Sequence, residues 1–130
     1  MEIEFKKPVI LVVDDESDVC EMFVTILYEE GYVTDIANNG KDAVKRVKDG
    51  GVDFVLLDIM MPEMGGIETL QQIKAVRHDI PVVMITASAT LKTAQEAMRF
   101  GACDYITKPF SLECVKEVIK QGLEEQYTNT

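Results

Sequence analysis

The chain has 130 residues, enough for one domain whose apolar core needs no metal or disulfide staple. Its net charge of -10 speaks against a nucleic-acid or anionic-membrane partner, since both are held by clustered Lys and Arg. Three cysteines, Cys20, Cys103 and Cys114, show no C-x-x-C spacing; they exclude a disulfide framework and read as reduced, buried thiols. MEIEFKK is charged, the apolar run behind it is too short for a signal peptide, and no run approaches the roughly 20 residues of a membrane helix. A cytoplasmic location is expected.

PVILVVDD is a buried strand that runs straight into two adjacent aspartates. Ser17 to Glu30 follows as a helix, capped by Ser17 or Asp18, with Val19, Phe23, Ile26 and Leu27 on one stripe and Gly31 as its stop. YVTDIA is a more polar strand, suited to a position near an edge. Asn39-Gly40 turns the chain into a helix from Lys41 to Lys48, which Gly50-Gly51 ends. VDFVLLD is a third apolar strand, closing on Asp58, and Met60 to Gly66 is a loop with Pro62 and two glycines. The next helix turns Ile67, Leu70 and Ile73 inward, with His78 at its end as a partner for the helix dipole. PVVMIT is the fourth strand, followed by the small residues ASA and a helix from Thr90 to Phe100 with Gly101 as its left-handed cap. DYIT is the fifth strand, broken by Lys108-Pro109. Ser111 caps a last helix that buries Leu112, Val115, Val118 and Ile119 and pairs Glu113 with Lys116 and Glu117 with Lys120 outside. The tail QYTNT is expected to fray.

Five alternations of apolar strand and amphipathic helix predict an α/β fold: a doubly wound, five-stranded parallel sheet in the flavodoxin-like order 2-1-3-4-5. In such a sheet every strand delivers its C-terminus to one edge. Strand one brings Asp14 and Asp15, strand three Asp58, strand four Thr86, and strand five is followed by Lys108. Three crowded carboxylates raise one another's pKa, and a divalent cation relieves that repulsion. Oxygen ligands suit Mg2+, with Mn2+ as a substitute; zinc is disfavoured because no Cys or His stands at these strand ends.

A carboxylate beside such a cation and a lysine can attack phosphorus and become an aspartyl phosphate. Asp58 is the expected nucleophile because its strand is central. Lys108 would stabilise the transferring oxygens, Thr86 would donate a hydrogen bond, and the small Ala87 and Ser88 leave room for a phosphoryl group. The Met60 carbonyl is available to the metal.

Asp14-Asp15, LLDIMMPEMGG, TASA and YITKPF together resemble the receiver domain of two-component response regulators, over essentially the whole chain. The resemblance implies a receiver domain over residues 5–125, with short tails at 1–4 and 126–130. It implies that Asp58 accepts a phosphoryl group from a sensor histidine kinase or a histidine phosphotransfer protein. Asp15, Asp58 and the Met60 carbonyl would bind Mg2+ directly, and Asp14 partly through water. Lys108 would contact the phosphoryl group, and its bond to Pro109 would be cis. Thr86 would move toward the phosphate, Tyr105 would change rotamer, and the face made by helix four, strand five and helix five would control an output protein, a fused effector domain or a phosphorylation-dependent homodimer. TAQEAMRFGACDYITKPF is most similar to receivers attached to enhancer-binding transcription regulators.

Each element also has a plainer reading. Asp14-Asp15 alone could be a capping turn, Lys108 a solvated lysine, Thr86 a β-branched strand residue and Tyr105 half-buried packing. Gly65-Gly66 reads as a turn, because no Walker lysine follows. Met60, Met61 and Met64 are loop filler or a soft docking surface. At the level of function, a signalling switch competes with a relay intermediate that passes its phosphate to a histidine phosphotransfer protein, with a receiver that is never phosphorylated, and with a dehalogenase-type phosphohydrolase. The last needs a second aspartate two positions past the nucleophile, where this chain has Met60, so a turnover enzyme is not expected.

Overall fold

The five apolar runs pair side by side as one parallel sheet in the order β2-β1-β3-β4-β5 in the computed structural model, which describes residues 7–61, 64–87 and 91–128. The strands are β1 Val9–Val13, β2 Val33–Ala37, β3 Phe54–Asp58, β4 Val82–Thr86 and β5 Asp104–Thr107. The helices are α1 Ser17–Glu29, α2 Gly40–Asp49, α3 Gly66–Val76, α4 Leu91–Arg99 and α5 Leu112–Thr128. The α/β, doubly wound, flavodoxin-like expectation holds, and the polar second strand is an edge, as its composition requires.

The central strands are apolar on both sides because side chains alternate faces and both faces are covered. Leu11, Val13, Val55, Leu57, Val82 and Met84 meet Ala43 and Val47 of α2, Leu70 and Ile73 of α3 and Ala97 of α4. Their sequence neighbours Ile10, Val12, Phe54, Leu56, Val83 and Ile85 meet Cys20, Phe23 and Leu27 of α1 and Val115, Ile119 and Leu123 of α5 on the other face. Phe23 of α1 stacks on Phe110, just beyond β5, with ring centroids 5.4 Å apart. That contact pins the segment that carries Lys108.

Several local expectations are corrected. The N-cap of α1 is Glu16, with no side-chain cap, rather than Ser17 or Asp18; the Glu16 N–H is instead taken by the Asp14 carboxylate. Leu112 is 40% exposed because it lies in the first turn of α5, before the helix settles on the sheet. Cys103 and Cys114 are exposed, and only Cys20 is a core thiol. Lys116 lies 2.9 Å from Glu30 of α1 and 4.0 Å from Glu113, while Glu117 and Lys120 form no ion pair with each other. His78 lies two residues beyond the end of α3 at Val76 and is exposed, and its carbonyl accepts from Lys74 Nζ. The last helix continues to Thr128, into the stretch expected to fray. Pro62, Ser88, Thr90 and residues 1–4 lie outside the described residues.

Other local signals act as read. Asn39 caps α2, its side chain accepting from the Asp42 N–H at 2.8 Å. Ser111 accepts from Cys114 N–H at 3.1 Å at the start of α5. Gly31 and Gly101 take positive φ of 86° and 103°, the left-handed conformation that ends α1 and α4.

Candidate functional site

Strand register decides what meets at the C-terminal edge of the sheet. Val13 pairs with Leu57, so Asp14 and Asp58 leave neighbouring strands at the same level. Asp58 in turn pairs with Ile85, and Thr86 with Thr107, which brings Lys108 to the same edge. The Lys108 N–H donates to the Thr86 carbonyl at 2.8 Å, and the Lys108–Pro109 bond is cis. Among the described residues the buried polar side chains are Asp14, Asp58, Thr69 and Thr86. Three of these four stand at this one edge, and burying charge or hydroxyl without purpose is costly.

Asp14 is 2% exposed. Its Oδ1 accepts from the Glu16 N–H at 2.9 Å, and its Oδ2 lies 3.5 Å from Lys108 Nζ. Asp14, Asp15 and Glu16 each offer a carboxylate oxygen within 4.8 Å of the others. Asp58 is 4% exposed, and its Oδ1 accepts from the Met60 N–H at 3.0 Å. Burial pushes the Asp58 carboxyl up from 3.8 to about 6; the charges of Asp14 and Asp15 add to the rise, and the Met60 N–H and Lys108 oppose it.

The family model for the response regulator receiver domain matches residues 10–120. The chain belongs to the response regulator receiver domain family. It is 42% identical over 117 residues to the regulatory protein AtoC of Escherichia coli K12, covering 90% of this chain and 25% of that protein. It is 41% identical over 114 residues to the transcriptional regulatory protein ZraR of Klebsiella oxytoca, covering 88% of this chain and 26% of that one. The chain thus spans about a quarter of the length of these relatives. Among solved structures, a CheY-like receiver domain protein from Methanospirillum hungatei JF-1 superposes with a TM-score of 0.92 at 30% identity, covering 96% of this chain and all of that one. The receiver domain of NtrX from Brucella abortus gives 0.83 at 37% identity, covering 88% and 98%.

This receiver domain is therefore a component of two-component signalling, and receiver domains are signalling switches. Receiver domains bind Mg2+ through an acidic pocket, and the residues here fit that ion. The donors gathered by Asp14, Asp15 and Glu16 are all carboxylate oxygens. Asp58 is not in that compact group; it stands at the end of the neighbouring strand, and its raised pKa comes first from its own burial, with the charges of Asp14 and Asp15 adding to it. The compact three-oxygen group includes Glu16, which is not among the expected metal ligands Asp14, Asp15, Asp58 and Met60. The signal was there, in the run Asp14-Asp15-Glu16.

The remaining expected residues are placed as follows. Met60 touches Asp58 through its N–H, and its side chain is 65% exposed. Ala87 follows the end of β4 and is exposed. Tyr105 lies on β5 opposite Met84 of β4 and is 40% exposed. Gly65 is the N-cap of α3, and Gly66 opens the helix with its N–H on the Ile59 carbonyl at 3.0 Å, packed against the backbone that follows Asp58.

Proposed function

We propose that Asp58 is the phosphoacceptor of this receiver and that Asp14, Asp15, Glu16 and the Met60 carbonyl are the groups available to Mg2+ around it. What supports the reading is a carboxylate at the end of a central strand, nearly buried, within the fields of Asp14, Asp15 and Lys108, with the Lys108 ammonium 3.5 Å from Asp14. One Asp58 oxygen is held by the Met60 N–H, which leaves the other to attack. Attack on the phosphorus of a phosphohistidine forms the Asp58 O–P bond and breaks the P–N bond; the imidazole leaves and takes up a proton. Bound Mg2+ would offset negative charge on the transferring oxygens.

Lys108 is held in reach of the same place by the stacked Phe23–Phe110 pair and by its N–H on Thr86. It supplies a positive charge to the phosphoryl oxygens. Thr86, buried one residue past the Asp58 register, is placed to read the new acceptors on Asp58. Tyr105 sits further along the same side on β5. A phosphate on Asp58 adds charge and hydrogen-bond acceptors there, and α4, β5 and α5 shift to favour one output partner or a homodimer. The donor is a sensor histidine kinase or a histidine phosphotransfer protein, and the setting is cytoplasmic. Among the described residues no helix is long and apolar enough to cross a membrane.

The test is incubation with acetyl phosphate and Mg2+, followed by peptide mapping. One phosphoryl group on the Asp58 peptide is expected, dependent on the metal. Undiminished uptake by Asp58→Ala refutes the assignment.

A further inference from the structure

The last rung between β1 and β2 is the Asp14 N–H on the Ala37 carbonyl, at 3.1 Å. The Asp14 carbonyl lies beyond that ladder, where no strand partner fixes it. Two side chains take it instead: Asn38 Nδ2 donates to it at 3.3 Å and Cys20 Sγ at 3.5 Å. Asn38 reaches it from the connection after β2 and Cys20 from the buried face of α1. The group they hold is the peptide that joins Asp14 to Asp15. Its orientation sets where the Asp15 carboxylate stands relative to that of Asp14, the two being joined by that one rotatable unit. The Glu16 N–H, one peptide further on, is already committed to Asp14 Oδ1. The three oxygens that lie within 4.8 Å of one another are thus held in register through their backbone.

We propose that Asn38 is a positioning residue of the acidic site: by holding the Asp14 carbonyl it fixes the spacing of the Asp14, Asp15 and Glu16 carboxylates and so sets the affinity for a divalent cation. The inference rests on the reading of that cluster as the Mg2+ site. Asn38 touches none of the three carboxylates. Its side chain is exposed, so it contributes little to the core, and its removal separates positioning from folding. The adjacent Asn39 offers a matched contrast, because its side chain caps α2 through the Asp42 N–H.

The experiment titrates Mg2+ into the whole wild-type protein, Asn38→Ala and Asn39→Ala, reading the dissociation constant by NMR shifts, with thermal unfolding of the metal-free proteins alongside. Outer partners of metal ligands typically change affinity 10- to 100-fold; acting through one peptide, Asn38→Ala is expected to weaken Mg2+ about tenfold, with Tm within about 2 °C of wild type. Asn39→Ala is expected to do the reverse, lowering Tm by about 5 °C and leaving the affinity alone. Equal Mg2+ affinity in wild type and Asn38→Ala overturns the positioning role while leaving the site intact. A wild-type protein that takes up no Mg2+ overturns the reading of the cluster, and the positioning role with it.

Discussion

Lys108 reaches across the edge of the sheet to Asp14, its Nζ 3.5 Å from Oδ2, although the two residues are 94 positions apart in the chain. The contact is long for a charged hydrogen bond, so the ammonium is tethered near Asp14 without being locked to it. Lys108 is about one-fifth exposed, and Asp14 almost fully buried. On the proposed assignment of Asp58, this lysine is the cation that an incoming phosphoryl group would recruit. Lys108→Ala is expected to retain Mg2+ binding, since it removes positive charge and no oxygen ligand. It is expected to slow phosphorylation by acetyl phosphate roughly 100-fold and to abolish the phosphorylation-dependent change in the α4-β5-α5 face. Metal titration and phosphorylation kinetics on the one variant check both halves.

Asp58 predicts the pH dependence of the metal-free protein. Its folded pKa is about 6 against an ordinary 3.8, with burial as the main cause. Between those values the folded protein holds a proton that the unfolded chain has released. Stability on this account is fully present below pH 3.8 and is lost as pH rises to about 6. The whole loss is about 3 kcal/mol at 1.36 kcal/mol per pKa unit. Asp58→Asn has no such titration. At pH 7 without metal it is expected to be more stable than wild type by about 1–3 kcal/mol in urea, with the gap closing near pH 4. A gap that is the same at both pH values would show that the Asp58 carboxyl titrates normally.

Gly66 and Gly65 are adjacent and are expected to respond oppositely. A Cβ on Gly66 would lie 2.4 Å from the Asp58 carbonyl oxygen and 2.5 Å from Ile59 Cα, both backbone atoms that cannot rotate aside. Gly65 has φ −68°, open to any residue, and among the described residues nothing stands within 4 Å of its Cβ position. Gly66→Ala is therefore expected to cost about 1–3 kcal/mol of stability and to slow phosphorylation, because relief of the clash moves the backbone that carries Asp58. Gly65→Ala is expected to change neither by more than about 0.5 kcal/mol or twofold. Denaturation and phosphorylation rates on the pair separate a steric effect on the acceptor from a general sensitivity of the loop.

The strands and the meeting of Asp14, Asp58, Thr86 and Lys108 were legible because they depend on one regularity. Apolar runs buried on both faces make a parallel sheet, and a parallel sheet puts every strand end on one edge. Nothing in the pattern places residues that act by reaching sideways. Asn38 grips the Asp14 carbonyl just beyond the end of β1, and its neighbour Asn39 has the same side chain and a different partner. Glu16 belongs to the cluster through its place after Asp15, and the strand pattern does not single it out. Leu112 follows the apolar rhythm of α5 and still faces solvent, because periodicity gives the face of a helix and not where along it the sheet ends. Gly66 reads as turn chemistry, whereas its reason is the Asp58 carbonyl against its missing side chain.

Gly122 gives a sharper case, where two general rules disagree about sign. It lies inside α5, and glycine there is less favourable than alanine by about 0.5–1 kcal/mol, so Gly→Ala on an open face stabilises. Gly122 is on the buried face, however. A Cβ would stand 2.4 Å from Cε2 and 3.2 Å from Cδ2 of Phe54, a fully buried ring in β3. That ring is enclosed by the core of this face and has no space to retreat into. Overpacking of this kind costs about 1–3 kcal/mol, which exceeds the propensity gain, so Gly122→Ala is expected to destabilise. Phe54→Leu removes the ring atoms in question. In its presence the penalty of Gly122→Ala is expected to shrink to near zero or reverse, a coupling that a double-mutant cycle by chemical denaturation measures directly. If Gly122→Ala alone raises the unfolding midpoint, α5 is able to slide relative to β3, and the close approach of helix and strand is not what holds this face together.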